Sequence, residues 1–283
     1  LWPLHPVWLP KRWLHCRIRE KKTQKVRGSP EPLFFYHKEE AQDEGTVFEP
    51  DEGIIEIDGK NPATDIGTAK RIIYVAGVMS YSEIKLKKII EEYRLMYEKF
   101  DEEFAHKLME LFGLNKKAKI KNLSKGQETI FNFCCGMATR ADITILDEPV
   151  SGVDAISRNK IYEIILRDYI EHPRTILISS HMLGEMEKIL SHMIMIGNND
   201  VLFAGDIEEL KDSVYRVDGE LANIEKYCEE KKVLYKKNQT LGAMAVIEGR
   251  LDKEEAEKAD ELELATSKLS GEEIYMYKTD LKN

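Results

Sequence analysis

The chain has 283 residues, of which 42% are hydrophobic and 33% charged, and its formal net charge is −9 at pH 7. This length and composition allow a buried core and predict one large domain, with or without a small appendage. The acidic balance argues against a general attraction to DNA or anionic lipid, although a local basic patch is compatible with it. No run of about 18 apolar residues occurs, so the sequence predicts no membrane-spanning helix.

The first part of the chain differs in composition from the rest. Residues 1–28 hold all three tryptophans and are rich in lysine and arginine, while prolines and histidines interrupt what would be the apolar region of a signal peptide. The composition changes near Glu31, and from Val47 onward the sequence is typical of strands and turns. We therefore predict that residues 1–46 form a leader that is not part of the fold of the rest.

Short strands and two amphipathic helices are predicted next in chain order. β-Forming isoleucines before an Asp-Gly pair indicate a strand and a turn, and apolar residues at helical spacing indicate the helices. The predicted elements are strands near 54–57 and 71–78 and helices over 82–100 and 101–113. Residues 82–121 are predicted to form a helical subdomain.

Strands then alternate with helices, which predicts βαβ units and a mainly parallel sheet. The predicted elements are helices over 125–140, 156–170 and 182–192 and strands over 143–146, 174–181, 193–197 and 201–205. Residues 220–283 are predicted to form a small accessory region of mixed helix and strand. Its charged run is predicted to be a solvated helix face.

Four short motifs occur in a fixed order along this part of the chain. They are L-S-K-G-Q at 123–127, I-T-I-L-D-E-P at 143–149, S-G-V-D at 151–154 and I-S-S-H at 178–181. Each motif alone is weak, but the ordered set is specific. Together they resemble the nucleotide-binding domain of ABC transporters, and the resemblance covers about residues 48–219.

The resemblance implies an α/β fold: a P-loop NTPase-like three-layer sandwich of the ABC type, with a helical subdomain and a small C-terminal α+β appendage. It places the ATPase domain at residues 47–219. It also implies ATP and Mg²⁺ as cofactors.

Ser124 and Gly126 stand at the start of a predicted helix, where free N–H groups favour an anion. A hydroxyl and a glycine there suit a close approach to a phosphate. By themselves they are better explained as a serine helix cap followed by a glycine-containing turn. The resemblance implies that Ser124, Gly126 and Gln127 contact nucleotide.

Asp147 and Glu148 follow a short, wholly apolar run, which is how a buried parallel strand delivers carboxylates to its C-terminal edge. The resemblance implies that Asp147 organises Mg²⁺ through its water ligands. It implies that Glu148 polarises the water that attacks the γ-phosphate. The alternative for such a pair is a helix cap with an acidic first turn.

The resemblance also assigns roles to Asp154 and His181. Asp154 would sense a second nucleotide-binding domain across a dimer interface and contribute to nucleotide binding. His181 would contact the γ-phosphate and the attacking water. A lone histidine is more often structural or simply exposed, so the assignment of His181 depends on its place in the motif order.

The sequence departs from the family pattern at the P-loop. This loop has the form G-x-x-x-x-G-K-[ST], because its backbone amides cradle phosphates, its lysine neutralises them and its hydroxyl binds Mg²⁺. Gly59-Lys60 is the only Gly-Lys pair, and Ile54 stands where the first glycine belongs. Ala76-Gly77-Val78 also replaces the glutamine expected after the strand at 71–78. Residues 1–46 are either an out-of-frame or misassembled translation, or part of a genuine degenerate domain.

The resemblance implies a subunit of an ABC exporter that powers a separate integral membrane permease from the cytoplasmic face of the membrane. Its partners would be that permease and a second ABC ATPase, in a homodimer or heterodimer, and no nucleic acid. Without a P-loop, this copy is expected to be impaired. The alternative is a non-hydrolysing regulatory or scaffold partner of an intact ABC ATPase.

Overall fold

The computed structural model describes residues 33–37, 55–76, 83–197, 200–240 and 242–279. The chain divides into two compact units, residues 1–181 and residues 182–283. None of the helices within the described ranges is long and apolar enough to cross a membrane.

The first unit contains a parallel sheet of four strands. They are β1 (Leu33–His37), β2 (Ile72–Val75), β3 (Ile143–Asp147) and β4 (Thr175–Ser179), in the order β2-β3-β4-β1. Leu146, Ile176 and Ile178 are fully buried, as expected for strands covered on both faces. The register pairs Asp147 with Ser179, so the carboxyl ends of β3 and β4 meet at one edge of the sheet.

Five helices accompany this sheet in the described part of the first unit. They are α1 (Ile66–Ala69), α2 (Leu86–Met96), α3 (Glu102–Leu111), α4 (Lys125–Ala138) and α5 (Ala155–Glu171). From Thr129 onward every residue of α4 is buried, which makes it a core helix rather than an amphipathic surface helix. Asp101, Ser124 and Asp154 cap the starts of α3, α4 and α5 with their side chains.

The structure differs from the sequence expectations at the start of the fold. β1 lies inside residues 1–46, so five residues of the predicted leader form a strand, and Leu33, Phe34 and Phe35 pair with β4 in the sheet. The strand predicted at 54–57 is reduced to one bridge between Ile57 and Lys60 across a tight turn, and Ile54 lies outside the described residues. Asp58 and Gly59 both have positive φ in that turn, as the two central residues of a tight hairpin turn do.

The second unit contains an antiparallel hairpin and a four-stranded antiparallel sheet. The hairpin consists of β5 (His192–Gly197) and β6 (Asp200–Asp206). The sheet consists of β7 (Val214–Gly219), β8 (Lys232–Gln239), β9 (Gly242–Glu248) and β10 (Ala265–Lys268). Its strand order is β10-β7-β9-β8. The helices are α6 (Leu183–Met186), α7 (Ile207–Asp212), α8 (Leu221–Cys228), α9 (Lys253–Glu261) and α10 (Gly271–Thr279). Because β7 pairs with β9 and β10, the C-terminal sheet starts before residue 220, the predicted start of the accessory region.

The helix predicted over 182–192 is shorter in the structure. The α-helical part covers Leu183–Met186, and the chain then tightens into a 3-10 turn at Glu187–Ile189. Leu183, Met186 and Leu190 are still buried, so the apolar spacing that suggested a helix is satisfied without a continuous one.

Candidate functional site

Asp147 ends β3 and is held by side chains from the strands on both sides. The hydroxyl of Tyr74 on β2 donates to Asp147 Oδ2 at 2.5 Å, and the hydroxyl of Ser179 on β4 donates to Oδ1. Burial and, next, the Asp147 carboxylate raise the pKa of Tyr74, so its phenol stays protonated and remains a donor. The carboxylate therefore has a fixed orientation at the edge of the sheet.

Glu148 adopts a left-handed backbone conformation, with φ of 47°. Such a conformation in a residue other than glycine costs about 1–3 kcal/mol and is found disproportionately at functional sites. Its N–H donates to the carbonyl oxygen of Ser179 at 3.1 Å and to the Ser179 hydroxyl at 3.0 Å, which holds the turn in place. The positive φ of Glu148 is thus held by two contacts with Ser179.

The Glu148 carboxylate contacts His181. Its Oε1 accepts from the backbone N–H of His181 at 3.1 Å and lies 2.8 Å from His181 Nδ1. Its Oε2 is buried and has no hydrogen-bond partner among the described residues. One carboxylate oxygen is therefore fixed by His181, while the other is available to a ligand or a water molecule. The side chain of His181 is 57% exposed, which leaves the ring accessible.

Asp154 acts as the cap of α5 rather than as part of this cluster. Its Oδ1 accepts from the N–H groups of Ile156 at 3.1 Å and Ser157 at 3.0 Å, and the bond from the Ser157 N–H lowers the pKa of Asp154. Because α5 already has this cap, the alternative that Asp147 and Glu148 cap a helix does not apply. The two carboxylates end a strand, as the sequence predicts.

Ser124 and Gln127 form a reciprocal capping box at the start of α4. Gln127 N–H donates to Ser124 Oγ at 3.2 Å, and Ser124 N–H donates to Gln127 Oε1 at 3.0 Å. Gly126 lies against the loop after β3, where an added Cβ would stand 2.3 Å from the carbonyl oxygen of Gly152. This stretch therefore fits the simpler interpretation of a helix cap, and the contact of these three residues with nucleotide stays a prediction.

The structure brings together Asp147, Glu148 and His181 among the residues singled out from the sequence. It adds Tyr74 and Ser179, which the sequence analysis did not select. The only sequence signal for Ser179 is its place in the I-S-S-H motif, and Tyr74 has none beyond its position in a strand.

The carboxylates of Asp147 and Glu148 fit the water ligands of a bound Mg²⁺. Each Asp147 oxygen accepts one hydrogen bond, which leaves a lone pair on each for the water ligands of a cation. Glu148 Oε2 is a partnerless acceptor suited to a water molecule. In the described ranges, no group of three or more His, Cys, Asp and Glu side chains could hold a metal by itself. Mg²⁺ is usually held by one or two carboxylates together with phosphates and water.

Comparisons with known proteins agree with this geometry. Residues 46–151 match the family described as ABC transporter. The ABC transporter ATP-binding protein YtrB of Bacillus subtilis is 27% identical over 168 residues, which cover 59% of this chain and 58% of YtrB. The daunorubicin/doxorubicin resistance ATP-binding protein DrrA of Streptomyces peucetius is 25% identical over 178 residues, covering 60% of this chain and 53% of DrrA. The chain thus spans little more than half the length of these two relatives.

A solved structure of an ATP-binding subunit of an ABC transporter has a TM-score of 0.55 and 19% identity, and covers 65% of this chain and 81% of that chain. At this identity the likeness shows the fold alone, which is a P-loop NTPase-like α/β fold. The family match over residues 46–151 and the ATP-binding relatives support an ABC-type nucleotide-binding domain in this chain.

Proposed function

We propose that the chain is the ATP-binding and ATP-hydrolysing subunit of an ABC transporter and powers a separate membrane permease from the cytoplasmic face. The observation that carries the proposal is the contact of Glu148 with His181 beside the fixed carboxylate of Asp147. The name of DrrA, which refers to drug resistance, supports export as the direction.

Each residue has a distinct task in this proposal. Asp147 would orient the water ligands of Mg²⁺, Glu148 Oε2 would accept a hydrogen bond from the attacking water, and His181 would hold Glu148 and face the γ-phosphate. The cation would neutralise charge that develops on the phosphate oxygens. Positioning and electrostatics, rather than covalent chemistry, would then account for the rate.

A second nucleotide-binding domain completes the proposed site. Ser124, Gly126 and Gln127 would contact the nucleotide held by the partner domain, and Asp154 would lie at the interface between the two. The partner would be a second copy or a different ABC ATPase. The exposed positions of Ser124, Gln127 and Asp154 are compatible with such an interface.

We propose further that this copy is impaired, because its sequence has no G-x-x-x-x-G-K-[ST] motif. The amide cradle, the lysine and the hydroxyl that hold phosphates and Mg²⁺ would be missing. The second candidate function is a non-hydrolysing regulatory or scaffold partner, which the missing motif favours.

The test is ATP binding and hydrolysis by the purified chain, with Asp147→Ala as the matched variant. Impairment predicts weak or absent binding and turnover in both proteins. Micromolar binding by the wild type that Asp147→Ala abolishes would contradict impairment. Co-purification with the cognate ATPase and permease distinguishes the second candidate, since a scaffold must form a stable heterodimer.

A further inference from the structure

Two lysine-rich stretches of the first unit are joined side by side. Lys85 and Lys119 form an antiparallel bridge, and the N–H of Leu86 donates to the carbonyl oxygen of Ala118 at 3.0 Å. The pairing gathers six lysines, which we call the lysine patch: Lys85, Lys87, Lys88, Lys116, Lys117 and Lys119. Part of the patch borders a hollow of about 370 Å³.

Few carboxylates oppose this charge. Glu83 accepts hydrogen bonds from Lys119 at 2.9 Å and from Lys121 at 2.7 Å, and Lys121 and then Lys119 lower the pKa of Glu83. The other carboxylate at the hollow is Glu91, which is exposed. The other five lysines of the patch are exposed and have no carboxylate partner within the described part of the chain. A chain of net charge −9 therefore carries a locally positive surface.

Helix stability does not account for these lysines. Lys87 and Lys88 lie in the first turn of α2, where the positive end of the helix dipole disfavours cations, and the turn contains no acidic residue. The N–H groups of Leu86 and Lys87 are already bonded to the 116–118 segment, so this turn offers few free donors for an anion. What the surface presents is lysine charge.

The composition of the patch indicates what it contacts. Protein interfaces are depleted in lysine and enriched in aromatic residues and arginine. Proteins that recognise nucleic-acid bases use arginine, amide and aromatic side chains. The patch, by contrast, consists of lysine alone. Clusters of four to eight basic residues are typical of surfaces that meet anionic lipid. Leu95 is 82% exposed and lies two helical turns after Lys88 on the same face of α2, where it could contact the membrane interface.

We propose that the lysine patch binds the phosphate groups of anionic phospholipids at a membrane surface. The interaction goes beyond the proposed function because it needs neither nucleotide nor permease. Its failure is therefore distinguishable from failure of the ATPase proposal. It would orient the domain at the membrane and strengthen its attachment there when a permease is also bound.

The test is flotation of the full chain with vesicles of phosphatidylcholine, with or without phosphatidylglycerol. The patch variant is Lys85→Gln/Lys87→Gln/Lys88→Gln, and the charge-matched control is Lys70→Gln/Lys226→Gln/Lys237→Gln. The basic leader is the same in every protein, so a difference reports the patch. Circular dichroism checks folding, and Lys116→Gln/Lys117→Gln serves as a second patch variant on a separate segment.

We expect binding to require phosphatidylglycerol and to fall about tenfold or more in the patch variant, but less than about twofold in the control. Soluble glycerol phosphate should not displace the chain, because a vesicle engages several lysines at once. Equal binding by patch and control variants would overturn the proposal. Displacement by glycerol phosphate would mean that the patch binds a soluble phosphate. If added RNA or acidic peptide displaced the chain from the vesicles, that competitor would be the ligand of the patch. Either outcome would also overturn the proposal.

Discussion

The main chain of Gly126 lies against that of Gly152, so closely that a Cβ on Gly126 would stand 2.3 Å from the Gly152 carbonyl oxygen. The hydroxyl of Thr129 also donates to the carbonyl oxygen of Ser151 at 3.1 Å. The start of α4 and the loop after β3 therefore fix each other. This contact links the L-S-K-G-Q motif to the strand that carries Asp147 and Glu148.

Gly126→Ala should lower the free energy of unfolding by about 1–3 kcal/mol, because the new methyl group meets backbone rather than a movable side chain. Gly136→Ala is the matched comparison: its Cβ would stand 2.2 Å from Val75 Cγ2, a side-chain atom. Val75→Ala should therefore rescue part of the loss in Gly136→Ala, as a double-mutant cycle in urea would show. If Gly126→Ala unfolded at the same urea concentration as the wild type, the result would argue against the close contact.

Tyr74→Phe should destabilise the first unit by about 1.5–3 kcal/mol, because it removes a hydrogen bond to a carboxylate that is half-buried. The control is Tyr97→Phe, since the Tyr97 hydroxyl has no hydrogen-bond partner in the described part of the chain. Urea unfolding followed by circular dichroism measures both. If both variants lost the same free energy of unfolding within error, the hydrogen bond to Asp147 would contribute nothing to stability.

Asp168 forms a buried ion-pair cluster with two arginines. Its side chain is 3% exposed, lies 2.7 Å from Arg174 and also contacts Arg140. Asp168→Asn should cost about 3–5 kcal/mol, because it leaves both guanidinium groups without their buried counter-charge. Glu163→Gln on the same helix is exposed and should change stability by less than about 0.5 kcal/mol. A small effect of Asp168→Asn in denaturant titrations would be inconsistent with the buried cluster.

Glu255 should make the second unit sensitive to acid. The ion pair with Lys231, and to a lesser degree the Tyr227 hydroxyl at 3.0 Å, lower the pKa of Glu255 below its ordinary value of 4.5. A carboxylate whose pKa is lower in the folded state stabilises the protein fully at pH values above its pKa in the unfolded state. This stabilisation is lost as the pH falls through the folded-state pKa.

Glu255→Gln should therefore be less stable than the wild type by about 1–2 kcal/mol at pH 7, and the difference should shrink below about pH 4. Glu257→Gln is the control, because its partner Lys253 is 92% exposed and such surface pairs contribute little. Unfolding curves at several pH values report both. A difference that stays constant down to pH 3 would contradict the assignment.

The sequence sufficed for the placement of Asp147 and Glu148 because an apolar, β-branched run has few other interpretations. It could not select Tyr74 and Ser179 as partners of Asp147, since that choice depends on the register of β2, β3 and β4. Leu146 pairs with Val75 on one side and with Ile178 on the other, and neither pairing can be deduced from a single sequence.

β1 shows a different limit. Leu33–His37 reads L-F-F-Y-H, an aromatic run of the kind that favours strands. Its surroundings, rich in charge and proline, led to the prediction that residues 1–46 lie outside the fold. A strand that adds to a sheet already formed needs little local support, because β4 supplies its hydrogen-bond partners.

The most direct test of the account is a gain of function. Residues 1–46 would be replaced by a segment with a strand and a G-x-x-x-x-G-K-[ST] loop that leads into a helix, and Mg²⁺-dependent ATP hydrolysis would be measured with and without Glu148→Gln. The account predicts turnover above that of the original chain, lost in Glu148→Gln. A folded chimera that binds ATP but does not hydrolyse it would contradict the assignment of Asp147, Glu148 and His181 as the hydrolytic site.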